Sequence, residues 1–202
     1  MTIRLLLADD QELIRSALAA LLDMQEDFSV VASVGRGDEV VAAAKATAPD
    51  VALLDIEMPG IDGLAAAAIL TEQVPGCRSV IVTTFGRPGY LRRAMESGAV
   101  GFVVKDTPVS QLADAIRRVA SGERVVDPAL AAATLSHGTS PLTPRERDVL
   151  AVGRTTTTVA EIAERLFLSE GTVRNYLSSA IAKANARNRT EAARVADENG
   201  WL

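Results

Sequence analysis

At 202 residues, 48% hydrophobic and with a net charge of −5, the chain is long enough to bury one substantial core and one small one. Its single cysteine, Cys77, excludes an internal disulfide framework and fits a reducing compartment. The start Met1–Asp10 has too short an apolar run for a signal peptide, and no stretch approaches the roughly 18 apolar residues of a membrane span, which predicts a soluble cytoplasmic protein.

Four short aliphatic runs, Ile3–Ala8, Val51–Leu54, Ser79–Val82 and Gly101–Val104, read as strands buried on both faces of a parallel sheet. Ser29–Val34 reads as a further strand, second in chain order. Gln11–Met24 carries Leu13, Ile14, Ala17, Leu18, Leu21 and Leu22 at helical spacing, and Asp38–Ala48 reads as an Ala-rich helix ended before Pro49. A Pro-Gly loop, Met58–Gly63, precedes a helix over Leu64–Val74. Pro88–Ser97 and Ser110–Ser121 supply two more helices. Strict alternation predicts an α/β fold over residues 1–121, a doubly wound five-stranded parallel sheet with right-handed crossovers and helices on both faces.

Residues 122–141 break the rhythm and read as a linker with a short helix from Asp127-Pro128 through Leu135. His137, the lone histidine, falls there without the structured pocket a general base needs. Residues 142–202 read as a small all-α domain of four helices. Thr143-Pro144-Arg145-Glu146 is a capping box with proline at the first helical position, and Thr158/Glu161 and Asn188/Glu191 repeat its spacing. Glu161–Leu166 and Glu170–Ala184 flank the turn Phe167-Leu168-Ser169, which is helix-turn-helix spacing. Val173, Leu177, Ala180 and Ile181 form the apolar side of the second helix and leave Arg174, Asn175, Ser178 and Lys183 outside. A helical bundle with a merely solvated polar face has the same spacings. Charge divides with the domains: residues 1–136 hold 12 Lys and Arg against 18 Asp and Glu, a net of −6, whereas residues 137–202 hold 9 against 8, a net of +1. The front half suits a divalent cation and the back half is permissive toward phosphate backbones.

Polar residues stand where the strands end. In open α/β sheets the carboxyl ends of the strands line the ligand crevice, and there the chain carries Asp9-Asp10, Asp55, Thr83 and Lys105. Three converging carboxylates call for a hard cation with oxygen ligands, and Mg²⁺ suits them because it keeps waters and accepts a phosphoryl oxygen. Asp55 can then act as a nucleophile toward phosphorus, with Thr83 and Lys105 stabilising the transferred group. Any one of these residues taken alone reads better as part of a surface carboxylate cluster with Lys105 as an ordinary salt-bridge partner; the ordered set does not.

Ala8-Asp9-Asp10, the segment Asp55–Gly63, Val82–Phe85 and Gly101–Asp106 resemble the receiver domain of two-component response regulators, a flavodoxin-like fold. Leu142–Arg147 with Leu168–Tyr176 resembles the DNA-binding domain of the NarL/FixJ, or LuxR-type, subgroup. Thr83–Tyr90 and Gly171–Ser178 look like the DesR branch, whose members respond to membrane-lipid state through a membrane-bound kinase. The resemblance implies that Asp55 accepts a phosphoryl group from a histidine kinase and that Asp10 binds Mg²⁺ directly. It assigns Asp9 a ligand role largely through water and gives the remaining protein ligand to the backbone carbonyl of Glu57. Thr83 and Phe102 match the switch pair, the ring following the threonine inward. The implied output is a phosphorylation-activated transcription regulator that dimerises on promoter DNA. Matched onto this chain, Arg174, Asn175 and Ser178 become base-edge contacts, and Thr172, Lys183, Arg187 and Arg189 phosphate contacts. No substrate turnover is implied beyond the receiver's own phosphorylation and dephosphorylation.

Departures from the family pattern carry expectations of their own. Arg154–Thr158 replaces a glycine-containing turn, and β-branched residues tolerate positive φ poorly. Ala184-Asn185 stands where leucine and glycine are common, with Asn185 still able to cap in a left-handed conformation. Glu57 and Phe85 flank the route of a hydrolytic water and predict slow self-dephosphorylation. Two other readings are a receiver used for interaction alone, its DNA binding weakened by the Thr tract, and an aspartyl-phosphate phosphohydrolase using Asp55-Ile56-Glu57.

Overall fold

Buried aliphatic runs alternating with helices fold here into a parallel sheet, seen in a computed structural model that describes residues 2–84, 88–127, 131–132, 140–156 and 158–202. The strands are β1 (Ile3–Ala8), β2 (Phe28–Val34), β3 (Val51–Leu54), β4 (Arg78–Thr83), β5 (Gly101–Val104) and β6 (Val125–Val126). They lie in the order β2-β1-β3-β4-β5-β6, all parallel. The chain moves one way from β1 to β2 and the other way from β3 onward, so a topological switch point lies between β1 and β3. The helices of this unit are α1 (Glu12–Asp23), α2 (Gly37–Thr47), α3 (Gly63–Gln73), α4 (Pro88–Glu96) and α5 (Val109–Ala120).

Side chains alternate across each strand, which divides the core into two layers. Leu5, Leu7, Leu53, Val80 and Val82 pack in one cluster with Leu22 of α1 and Leu112, Ile116 and Val119 of α5. On the other side of the alternation, α2 and α3 pack against each other and bury Val40, Ala44, Ala66 and Leu70. Helix α1 is covered less than its stripe predicts: Leu22 is its fully buried residue, Leu13 is 84% exposed, and Ile14 and Leu21 are also exposed. An apolar cavity of about 240 Å³ separates part of α1 from the sheet and α5.

Among the described residues the sheet has six strands, not five. Val125–Val126 adds to the β5 edge, pairing with Gly101 and Phe102, and the Val125 N–H donates to the Val100 carbonyl at 2.9 Å. Two residues are too few for a period of two to show in a sequence. The expected short linker helix falls largely outside the described residues, as do His137 and most of the 137–141 junction; Ala131 and Ala132 are helical, with the Ala131 N–H bonded to the Asp127 carbonyl.

A second compact unit lies mainly within Ala132–Leu202. Its helices are α6 (Pro144–Thr155), α7 (Val159–Leu166), α8 (Glu170–Lys183) and α9 (Arg189–Glu198). They close around Leu142, Val149, Leu150, Ile162, Val173, Leu177 and Ala180. Thr143 and Thr158 form full capping boxes with Glu146 and Glu161. Ser169 and Asn188 cap α8 and α9, but Glu191 reaches the Arg187 N–H rather than that of Asn188. The Thr tract does without a glycine, because Thr156 takes an extended conformation (φ −111°, ψ 147°) and donates its hydroxyl to the Val152 carbonyl. Among the described non-glycine residues of this unit, positive φ falls on Phe167 and, as the sequence suggests, on Asn185. Among the described residues no helix is long and apolar enough to cross a membrane.

Candidate functional site

The switch point assembles the acidic cluster. Asp9 and Asp10 follow β1, Asp55 follows the adjacent β3, and carboxylate oxygens of all three lie within 4.8 Å of one another. Backbone bonds set the strand ends in register: the Asp55 N–H donates to the Ala8 carbonyl at 2.8 Å and the Lys105 N–H to the Thr83 carbonyl at 2.7 Å. Lys105 Nζ then reaches back across the ends, 2.7 Å from Asp9 Oδ2 and 3.0 Å from Asp55 Oδ2. The Gln11 N–H holds Asp9 Oδ1 and the Ile56 N–H holds Asp55 Oδ1, each at 2.9 Å. Asp9, Asp55 and Thr83 are buried, whereas Asp10 is exposed.

Opposing forces tune these groups. Burial raises the Asp55 carboxyl above the ordinary carboxylate value, against the pull of Lys105, which hydrogen-bonds it and favours the anion. For Lys105, burial favours the neutral amine, but the bonds to Asp9 and Asp55 outweigh it and the ammonium is held more firmly than usual. Lys105 and, at the Asp9 carbonyl, Arg15 face three carboxylates, which still leaves the cluster net negative. A hard divalent cation taking oxygen ligands therefore fits this donor set.

Glycine brings the following loop onto the acceptor. A Cβ on Gly63 would stand 1.9 Å from the Asp55 carbonyl oxygen, and the Gly63 N–H donates to the Ile56 carbonyl at 3.0 Å. Asp62 caps α3 by accepting from the Ala65 N–H and lies 3.8 Å from Arg93 of α4. Sequence reasoning quoted this loop without seeing that its last glycine packs on the acceptor's backbone. Phe102 is fully buried within β5. Glu57 is exposed, and Phe85 lies outside the described residues.

In the second unit Arg174, Asn175 and Ser178 are exposed on α8, opposite the buried Val173, Leu177 and Ala180. Arg174 is ion-paired with Glu170 one turn before it. Thr172 lies 2.8 Å from the Ser169 hydroxyl at the start of the helix. Arg187 and Arg189 sit before and at the start of α9, the former 89% exposed in its side chain. Lys183, expected as a phosphate contact, is paired within the unit and remains partly exposed. Its Nζ lies 2.9 and 2.8 Å from the two carboxylate oxygens of Glu146, which also accepts from the Ser179 hydroxyl at 2.6 Å and the Thr143 N–H at 2.7 Å. Burial would raise the Glu146 carboxyl, but the bonds from Lys183, Ser179 and Thr143 win and hold it at about 2. The buried carboxylate of the capping box attracts the nearest cation inward.

Two family models match the chain: the response regulator receiver domain over residues 5–117, and the bacterial regulatory proteins of the luxR family over residues 140–196. The chain belongs to the response regulators that join a receiver to a LuxR-type DNA-binding domain, and it is a phosphorylation-activated transcription regulator of that class. It is 45% identical to the uncharacterized transcriptional regulatory protein YvfU of Bacillus subtilis (strain 168), over 99% of this chain and 100% of that one. Against the transcriptional regulatory protein DesR of the same organism the identity is 41%, over 99% of each. Among solved structures, the response regulator ChrA of a heme-sensing two-component system aligns over 100% of this chain and 99% of its own, with 31% identity and a TM-score of 0.60.

Proposed function

We propose that Asp55 accepts a phosphoryl group from a sensor histidine kinase and that this shifts the receiver, pairs two copies and engages promoter DNA. The observation that supports it most is the convergence of Asp9, Asp10 and Asp55 at the switch point, with Lys105 bridging two of them. In the transfer an Asp55 carboxylate oxygen forms a P–O bond as the P–N bond of the kinase's phosphohistidine breaks. The electron pair stays on the imidazole nitrogen, which takes up a proton. Asp9, Asp10, Asp55 and the Glu57 backbone carbonyl would hold Mg²⁺, which supplies positive charge against the phosphoryl oxygens.

Lys105, 3.0 Å from Asp55 Oδ2, would exchange a carboxylate for a phosphoryl oxygen, and Thr83, at the end of the next strand, would supply a hydroxyl. Phe102, buried in β5 and paired with Ile81 and Val126, would carry the change toward the edge of the sheet. The receiver thus acts only on its own phosphorylation and dephosphorylation. On DNA, Arg174, Asn175 and Ser178 read base edges from the major groove, and Thr172, Arg187 and Arg189 hold phosphates. Lys183 positions α8 through Glu146. The protein acts in the cytoplasm, where kinase and promoter are both accessible.

Incubation with acetyl phosphate and Mg²⁺, followed by intact-mass measurement, tests the acceptor. Wild type should gain one phosphoryl mass and Asp55→Asn none. Equal gain in both, or none in either, sinks the reading.

A further inference from the structure

A net of +1 over residues 137–202 is a weak footprint for a phosphate-binding domain unless its cations share one face. The structure shows such a concentration. Four of the nine Lys and Arg in that segment, Arg154, Arg187, Arg189 and Arg194, line two adjoining clefts that share Thr190 and Arg194. The clefts, about 480 and 450 Å³, open between the end of α6 and the start of α9, and the acids among their lining residues are Asp197 and Glu191. Elsewhere in the unit Arg145, Arg174 and Lys183 are each paired with an acid.

The guanidinium groups are held in place, not loose. Arg154 Nη1 lies 2.9 Å from Asp197 Oδ1, Arg189 Nη2 donates to the Thr156 carbonyl at 3.2 Å, and Arg187 Nε lies 3.8 Å from Glu191 Oε2. Arg154 and Arg187 are 50% and 89% exposed in their side chains, and a planar fork with five N–H donors can bridge a second anion while keeping the first. A lone phosphate would engage the cations of one cleft at a time. Successive phosphates of a nucleic-acid backbone would fill both.

We propose that this double cleft grips the phosphodiester backbone of the duplex read by α8, with Arg154, Arg194 and Thr190 as contacts beyond those inferred from the family motif. The proposal rests on α8 being the recognition helix. Arg187 and Asn188 support the continuity, because they belong to the turn that leaves the C-terminal end of α8.

The test is a fluorescence-anisotropy titration of the full chain, activated with beryllofluoride, on a promoter duplex and a scrambled duplex across a salt series. Arg154→Gln combined with Arg194→Gln should weaken binding equally on both duplexes and lower the slope of log affinity against log salt by about 2. Asp197→Asn, which removes a negative charge lining the cleft, should tighten binding several-fold on both. An unchanged salt slope in the double variant, where wild type binds, overturns the proposal. So does a loss confined to the promoter duplex, which would mean base reading. Competition by inorganic pyrophosphate at constant ionic strength, seen in wild type and absent in the variant without any loss of DNA affinity, would place a free anion in the clefts instead. If wild type binds no duplex at any salt, the recognition-helix reading itself has failed and this proposal falls with it.

Discussion

Two residues outside the acidic cluster decide whether each unit can work. Gly63 leaves no room for a side chain against the Asp55 carbonyl, so Gly63→Ala must push the acceptor off its strand-end position. A displacement of an ångström or so at a reacting group costs about 10- to 100-fold in rate, and phosphorylation by acetyl phosphate should slow by that factor. Melting of the DNA-binding unit should not change. Glu146 plays the corresponding part in the second unit. Glu146→Gln leaves the Lys183 ammonium without its anion and should cost about 1.5–3 kcal/mol in urea unfolding. Because the folded carboxyl lies near 2 against 4.5 when unfolded, the unfolded chain takes up the proton first. The stabilisation is whole above about 4.5 and is lost as pH falls toward 2. In Glu146→Gln that acid-dependent loss should be absent.

At the scale of elements, one helix end is out of keeping with its residue. Phe167 ends α7 in the left-handed region (φ 54°) and is 95% exposed, so its ring returns little burial for a backbone conformation that favours glycine. Phe167→Gly should raise the stability of the helical unit by about 0.5–1 kcal/mol, read from urea unfolding, because relief of the strained φ exceeds the added freedom of the unfolded chain. Neither this strain nor the β6 pairing shows in a one-dimensional pattern. Helices announced themselves through caps: Thr143, Thr158, Ser169 and Asn188 all accept bonds from the residues their spacing implies. The acidic cluster was legible for a related reason, since a buried parallel strand must end in a crevice, and Asp9, Asp55, Thr83 and Lys105 each stand just past an aliphatic run. What stayed hidden depends on three-dimensional neighbours. Ile14 and Leu21 of α1 line a cavity that no sequence pattern shows, and the inward turn of Lys183 follows from a carboxylate 37 residues earlier in the chain.

For the whole molecule, electrostatics oppose the function that the two units share. The front half carries a net of −6 and the chain as a whole −5, so a single copy approaches a duplex against repulsion, with little counterion release to offset it. Joining two copies changes this without any new contact to DNA: once one recognition helix is bound, the second acts at an effective concentration set by the dimer, and the two half-site affinities multiply. Phosphorylation can then control DNA binding simply by controlling association. Light scattering after size exclusion, with Mg²⁺ and beryllofluoride, should show wild type near twice its monomer mass and Asp55→Ala at the monomer mass. On a duplex with two half-sites the same treatment should tighten wild-type binding by at least about 10-fold, within the gain that linked sites provide, and leave a single half-site nearly unaffected. Equal tightening on one half-site and on two would mean that phosphorylation alters the DNA-reading surface itself and not the pairing of copies.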